Sequence, residues 1–287
     1  MPYLDNAATS WPKPETVYQA VDEFSRQIAA NPGRSGHRMA AAAAQAIERT
    51  RVLLAELFNA PDHRRVIFTL NCTDSLNMAL KGLLEPGDHV VVDAMSHNSL
   101  IRPLNQLARE GVEVTAVAPD PEAGVLTGDI LERALTRRTR LLAVTHASNV
   151  HGVIQPLGEC AAFAGEHDLV FLVDAAQTAG AYPIDVQEDH IDLLAFPGHK
   201  SLFGPMGTGG LYIAPGVELR QSREGGTGFA SEEEEQPLEL PYRHESGTAN
   251  APGIAGLGAG VAHVLQRGVD AIRRHEQRLT ERLLTGL

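Results

Sequence analysis

Residues 169–180 read LVFLVDAAQTAG, in which five apolar residues follow one another without polar alternation and lead to Asp174. An uninterrupted apolar run of this length is typical of a strand buried on both faces, as in a parallel sheet. Ligands of open α/β sheets bind beyond the carboxyl ends of such strands. A carboxylate at that position, with Gln177 close behind it, suits contact with a cationic ring nitrogen. The alternative interpretation is an aspartate that caps the following helix.

A second segment, residues 196–205, reads FPGHKSLFGP and places Lys200 among glycines, just after the mainly apolar residues 191–195. Lysine forms Schiff bases with carbonyl cofactors when its amine is desolvated. Glycines allow a tight turn and a close approach to a ligand. Taken alone, the segment is equally consistent with a surface lysine in a Gly/Pro turn. Together with Asp174 it indicates pyridoxal phosphate, whose enzymes combine a lysine Schiff base with an aspartate on the pyridinium nitrogen.

The composition excludes several classes of protein. The chain has 287 residues, 43% of them hydrophobic, which is ordinary for one large globular domain or two smaller ones. A net charge of −12 without a basic patch argues against nucleic acid or an anionic membrane as a partner. Cys72 and Cys160 form neither a disulfide framework nor a metal cluster. With no signal peptide or membrane-spanning run in the sequence, we expect a cytoplasmic protein.

The DAAQ run at 174–177, followed by GHK at 198–200, resembles the cysteine desulfurase and selenocysteine lyase family. These are class V aminotransferase-like enzymes of fold-type I that use pyridoxal phosphate, and the resemblance covers essentially the whole chain. It implies an α/β large domain over residues 15–265, with segments 1–14 and 266–287 belonging to an incomplete small domain. The alternation of strands and helices predicts the same architecture, a mostly parallel sheet with helices on both faces.

The resemblance also implies roles for residues in other segments. The amides of Cys72 and Thr73, with the Thr73 hydroxyl, would hold the cofactor phosphate at the start of a helix. His97 would stack on the pyridine ring and shuttle protons, although a helix-capping histidine is the alternative interpretation. Asn149 would contact the phenolic oxygen of the cofactor, and His199 would contact its phosphate.

Further positions follow from the same resemblance. Thr248 would reach the cofactor phosphate of the partner subunit in a homodimer, and Ala8 and Thr9 would line the pocket. His37 lies in a loop on the substrate side, or in a loop that caps a helix. Pro197 departs from the family, which often has a serine there whose hydroxyl contacts the phosphate, because proline carries no donor.

The implied reaction removes sulfur from L-cysteine, or selenium from selenocysteine, and leaves alanine. Lys200 would hold the cofactor and abstract the α-proton, while Asp174 keeps the ring protonated. Relatives carry the persulfide-forming cysteine and a substrate-binding arginine in a C-terminal domain without counterpart here, so we expect a chain that lacks this domain. Transamination, C–S β-elimination and a non-catalytic remnant stay open. The expected partners are a small amino acid, a second copy of the chain and a sulfur-acceptor protein.

Overall fold

The computed structural model describes residues 2–33, 36–230 and 232–287, so that Met1, Arg34, Ser35 and Ser231 lie outside the description. Helices and strands alternate through most of these ranges. The helices are α1 (Glu15–Glu23), α2 (Arg38–Phe58), α3 (Cys72–Leu83), α4 (Asn98–Arg109), α5 (Gly128–Glu132), α6 (Leu157–Glu166), α7 (Ala251–Arg267) and α8 (Val269–Gly286). The strands are β1 (Val66–Thr69), β2 (His89–Asp93), β3 (Glu113–Val117), β4 (Thr139–Thr145), β5 (Val170–Asp174), β6 (Leu193–Pro197) and β7 (Gly209–Ile213). A π-helical turn, Phe24–Ile28, continues α1.

The strands form one sheet in the order β1-β7-β6-β5-β4-β2-β3. The pairings among β3, β2, β4, β5 and β6 are parallel, whereas β7 is antiparallel to both of its neighbours. The mostly parallel sheet predicted from the sequence is therefore confirmed.

Both faces of this sheet are covered, which explains the uninterrupted apolar runs. In β2, Val91 belongs to the core built with α2, α6 and α7, while Val90 and Val92 belong to the core built with α3 and α4. The same division separates Phe171 from Leu172 in β5. Because successive side chains of a strand point to opposite faces, alternate positions of a doubly covered strand pack against different cores, and the middle of such a strand is apolar throughout.

Parallel pairing also determines where a site can form. The strands β2, β4, β5 and β6 run in the same direction, so their carboxyl ends meet at one edge of the sheet. Asp174 is the last residue of β5, and the loops that begin at this edge carry His97, Asn149 and Lys200. Crevices beyond the carboxyl ends of such strands are the usual ligand sites of open α/β sheets. Within the described ranges, no helix combines the length and the apolar character needed to cross a bilayer.

A buried ion pair joins α2 to the segment before α7. The side chain of Arg51 is 3% exposed, and its guanidinium donates to both carboxylate oxygens of Glu245, at 2.7 and 2.9 Å. Glu245 also accepts the amide of Phe68 in β1 at 2.6 Å. Arg51 lies over the Phe68 ring, with the guanidinium carbon 4.5 Å from the ring centroid. One arginine thus connects a helix, a strand and a loop.

We expect the substitution Arg51→Ala to lower the free energy of unfolding by about 3–5 kcal/mol, because it leaves the Glu245 carboxylate without its cation. Urea unfolding of the purified chain measures this loss. The exposed pair Arg26–Asp22 is the matched control, and Arg26→Ala should cost less than about 1 kcal/mol. Equal losses in the two variants would contradict the prediction.

Candidate active site

Lys200 lies in a tightly closed loop that follows β6. The Gly198 amide donates to the Thr208 carbonyl at 2.8 Å, and the Gly204 amide donates to the Gly198 carbonyl at 2.7 Å. A Cβ atom at Gly198 would lie 2.2 Å from Thr208 Oγ1, so the loop can close this tightly only with glycine there. Lys200 itself is half-buried. The loop therefore holds a half-buried lysine at the edge where the strands end.

Asp174, the last residue of β5, is only 1% exposed. Its Oδ1 accepts hydrogen bonds from the Ala176 amide at 2.9 Å and from the Cys72 thiol at 3.4 Å. Its Oδ2 is buried and has no hydrogen-bond partner among the described residues. The Ala176 amide thus makes the local cap that the alternative interpretation expects. This cap uses only Oδ1 and leaves Oδ2 free.

Burial raises the pKa of Asp174. The Ala176 amide, the Cys72 thiol and the charges of Lys200 and His97 oppose this rise. A buried carboxylate oxygen without a donor is costly, and native structures seldom leave one so. A protonated ring nitrogen would supply that donor, with the Lys200 amine nearby. The donor set therefore fits pyridoxal phosphate.

The N-terminus of α3 lies against this carboxylate. Asn71 caps the helix, since its Oδ1 accepts the Asp74 amide at 2.9 Å and its carbonyl accepts the Ser75 amide at 3.2 Å. The amides of Cys72 and Thr73 stand in the first turn, where a helix supplies no acceptors of its own, and the Thr73 side chain is exposed. Phosphate binding by these two residues stays a prediction.

His97 begins α4 as its N-terminal cap. Its Nδ1 accepts the Ser99 amide at 3.1 Å and lies 2.8 Å from Ser99 Oγ. The capping interpretation of this histidine therefore describes a real contact. Because Nδ1 accepts an N–H, the neutral imidazole carries its proton on Nε2. Stacking on a pyridine ring stays a prediction.

His199, next to Lys200, is hydrogen-bonded to the N-terminal segment through its backbone carbonyl. Its carbonyl oxygen accepts the Ser10 amide, the Thr9 and Ser10 hydroxyls at 3.1 Å each, and Lys13 Nζ at 3.3 Å. Its ring Nδ1 is buried without a hydrogen-bond partner among the described residues. Burial, and then the charges of Lys200 and Lys13, lower the pKa of His199. A buried ring nitrogen beside two cations suits contact with an anion such as phosphate.

Lys13 is the residue of this cluster that the sequence did not indicate. Its ammonium group also contacts Ser10 Oγ at 2.9 Å and the Ser10 carbonyl at 3.2 Å. Lys13 lies between two prolines near the N-terminus, far along the chain from His199, and no local pattern distinguishes it from a surface lysine. Gln177 is held by the same segment, because its Nε2 donates to the Ala7 carbonyl at 3.3 Å.

Other predicted positions have no described contact with Lys200 or Asp174. Asn149 and Thr248 are exposed. His37 caps α2 through Nδ1, which accepts the Ala40 amide at 3.2 Å, so its capping interpretation describes a real contact. Pro197 ends β6, buried opposite Gly209, and supplies no donor. The roles of Asn149 and Thr248 toward the cofactor stay predictions.

We expect Lys13→Met to weaken pyridoxal phosphate binding about tenfold, because one charged hydrogen bond that holds the His199 carbonyl is lost. Fluorescence titration of the cofactor-free protein measures this affinity. The exposed Lys81 offers a matched control, and Lys81→Met should bind the cofactor as the wild type does. Unchanged affinity in Lys13→Met would show that the hydrogen bond from Lys13 does not support the lysine loop.

Comparison with known proteins agrees with this geometry. The family model described as aminotransferase class-V matches residues 2–287. A probable cysteine desulfurase of Methanothermobacter thermautotrophicus is 36% identical over 98% of this chain and 71% of its own length. The apo structure of a cysteine desulfurase from Thermococcus onnurineus NA1 superposes with a TM-score of 0.91 at 34% identity, covering 99% of this chain and 72% of that one. A structure of SspA in complex with cysteine superposes with a TM-score of 0.81 at 30% identity, over 92% and 73% of the two chains.

These findings confirm the fold-type I architecture and the resemblance that the motifs around Asp174 and Lys200 indicated. Enzymes of this family depend on pyridoxal phosphate, which the donor set at the edge of the sheet fits. The chain spans about 72% of the relatives that it matches. It belongs to the class-V aminotransferase family of pyridoxal phosphate-dependent enzymes.

Proposed function

We propose that the chain is a cysteine desulfurase-like enzyme that removes sulfur from L-cysteine, or selenium from selenocysteine, and leaves alanine. One observation carries the proposal most strongly. The buried Oδ2 of Asp174 has no partner among the described residues, and Lys200 lies on the loop that follows the neighbouring strand β6. The relatives described as cysteine desulfurases support the choice of reaction.

Pyridoxal phosphate, when bound, supplies an electron sink conjugated to the amino group of the substrate. Lys200 would bind it covalently, release it to the substrate and then accept the α-proton on Nζ. Asp174 would keep the ring nitrogen protonated through Oδ2, which its surroundings leave free. His97 would hold or return a proton at Nε2. The first-turn amides of α3 and the His199 ring would orient the phosphate.

The sulfur of the substrate must be transferred to an acceptor thiol. A thiolate attacks the substrate sulfur, the C–S bond breaks and an S–S bond forms. A proton is then delivered to the β-carbon, and the return of the α-proton from Lys200 to the α-carbon completes alanine. Both cysteines of this chain are buried, and burial raises the pKa of Cys160 to about 12. Burial and the Asp174 charge raise the pKa of Cys72 as well. We therefore propose that the acceptor thiol lies outside these 287 residues.

Borohydride reduction followed by peptide mass mapping tests the cofactor assignment. We expect a phosphopyridoxyl adduct on Lys200 after the purified chain is incubated with pyridoxal phosphate. An unmodified Lys200 in a folded sample would reject the assignment. An adduct on Lys200 would also exclude the alternative that the chain is a non-catalytic remnant that binds no cofactor.

Incubation with L-cysteine and a small thiol acceptor tests the reaction. Desulfuration produces alanine and persulfide in equal amounts, whereas C–S β-elimination produces pyruvate, ammonia and sulfide. We expect alanine to rise with acceptor concentration. Pyruvate as the main product would replace the proposal by a β-lyase, and consumption of an added keto acid would indicate transamination.

We further propose a homodimer in which Thr248 serves the partner's site, since its exposed side chain has no described contact with Lys200 or Asp174 of its own chain. Light scattering measures the assembly. If the threonine acts across the interface, mixing inactive Lys200→Ala chains with inactive Thr248→Val chains should restore about a quarter of the wild-type activity. Half of the dimers are then mixed, and each mixed dimer has one intact site. If the threonine acts within its own chain, no activity should return.

A further inference from the structure

The side chain of Cys72 contacts Asp174, and this contact has no role in the reaction proposed above. Cys72 is the first residue of α3, and it is 7% exposed. Its Sγ lies 3.4 Å from Asp174 Oδ1, within the distance of a hydrogen bond from sulfur. The two residues are 102 positions apart in the chain, so the contact exists only because α3 begins beside the end of β5.

The proton of this hydrogen bond belongs to the thiol. Burial and the neighbouring Asp174 charge disfavour a thiolate, so the pKa of Cys72 lies well above its usual value. A thiol donates and a carboxylate accepts. Two donors, the Ala176 amide and the Cys72 thiol, therefore converge on Oδ1 from different elements.

This convergence makes the two carboxylate oxygens inequivalent. Oδ1 has its donors, while Oδ2 is buried with none among the described residues. A half-turn of the carboxylate would only exchange two chemically identical oxygens, so the donors on Oδ1 matter because they fix the plane of the group and, with it, the position of the oxygen without a donor. The orientation of Asp174 thus depends on a side chain from α3 as well as on its own turn.

We propose that Cys72 is a positioning residue, whose thiol holds Oδ1 of Asp174 so that Oδ2 faces the ring nitrogen of the cofactor. The inference rests on the proposed function for the identity of the group that Oδ2 meets. It differs from the phosphate role predicted for Cys72, because that role uses the backbone amide and this one uses the side chain.

Three variants test the role of the thiol. Cys72→Ala removes the donor, Cys72→Ser replaces it by a hydroxyl donor, and Cys160→Ala is the matched control at the other buried cysteine. We expect Cys72→Ala to weaken pyridoxal phosphate binding about tenfold, Cys72→Ser to stay within about threefold of the wild type, and Cys160→Ala to bind unchanged. Wild-type affinity in Cys72→Ala, or equal loss in Cys72→Ala and Cys72→Ser, would overturn the inference.

A second readout needs no cofactor. Carbon-13 NMR of labelled aspartate carboxyl groups, with Asp174→Asn for assignment, follows the titration of Asp174 in the cofactor-free chain. Loss of the thiol donor should raise the pKa of Asp174 further, and the serine variant should restore it. An unchanged titration in Cys72→Ala would overturn the inference even if the cofactor affinity fell. A wild-type chain that binds no pyridoxal phosphate would instead reject the proposed function, whatever the Cys72 variants do.

Discussion

Replacement of Lys200 by alanine is expected to abolish covalent attachment of pyridoxal phosphate and to lower cysteine turnover by at least about a thousandfold. Lys200 is the amine of the closed loop after β6, and its charge acts on both Asp174 and His199. The variant removes both the attachment point and the group that would accept the α-proton. Borohydride reduction with peptide mapping measures the first loss, and alanine production measures the second.

The control for this experiment is Lys81→Ala, which removes an exposed lysine of α3. That variant should keep both the adduct on Lys200 and the turnover. Exogenous methylamine should restore part of the turnover of Lys200→Ala if the lysine acts as a base. Normal absorbance of a covalently bound cofactor in Lys200→Ala would contradict the assignment.

The substitution Asp174→Asn is expected to have opposite effects on stability and function. In the cofactor-free chain, burial raises the pKa of Asp174, so the folded state binds more protons than the unfolded state between the two pKa values. Stability is then lost as the pH rises through this window, and the full cost is present above the folded-state pKa. Asparagine carries no charge to bury, so the variant should be more stable than the wild type at neutral pH.

The same variant should lose cysteine turnover about a hundredfold, because a neutral amide does not hold a proton on the ring nitrogen. Thermal unfolding as a function of pH measures the gain in stability, which should shrink as the pH falls through the window between the two pKa values and vanish below the unfolded-state pKa. Asp192→Asn is a suitable control for turnover. Burial also raises the pKa of Asp192, but this carboxylate accepts the Phe171 amide at 2.8 Å and has no described contact with Asp174 or Lys200. Undiminished turnover in Asp174→Asn would reject the ring-nitrogen role.

Such a trade-off is expected where a functional group is held in surroundings that disfavour its charge. The fold supplies the stability elsewhere, through two apolar cores that cover both faces of the sheet. The free-energy cost of burying the Asp174 charge would be smaller in the cofactor-bound enzyme, because a cationic ring nitrogen would lower the pKa of the carboxylate again.

Much of the architecture could be predicted from short segments. The run at 169–173 indicated a doubly buried strand because each of its side chains meets a core on one face or the other. Asp174 could be identified because it ends such a strand, and Lys200 because it lies three residues beyond the end of another. Parallel strands bring their carboxyl ends to one edge of the sheet. His97 showed the limit of this reasoning, since a cap and a cofactor contact use the same residue type, and the structure establishes only the cap.

The sequence by itself determined the strands, their burial on both faces, and the aspartate and lysine at the edge of the sheet, because these depend on neighbouring residues and on the periodicity of the backbone. Only the tertiary structure decided which carboxylate oxygen of Asp174 is free and which lysine supports the loop of Lys200. These depend on hydrogen bonds between residues 102 and 186 positions apart. The strand order brings such residues together, and no local pattern encodes that proximity.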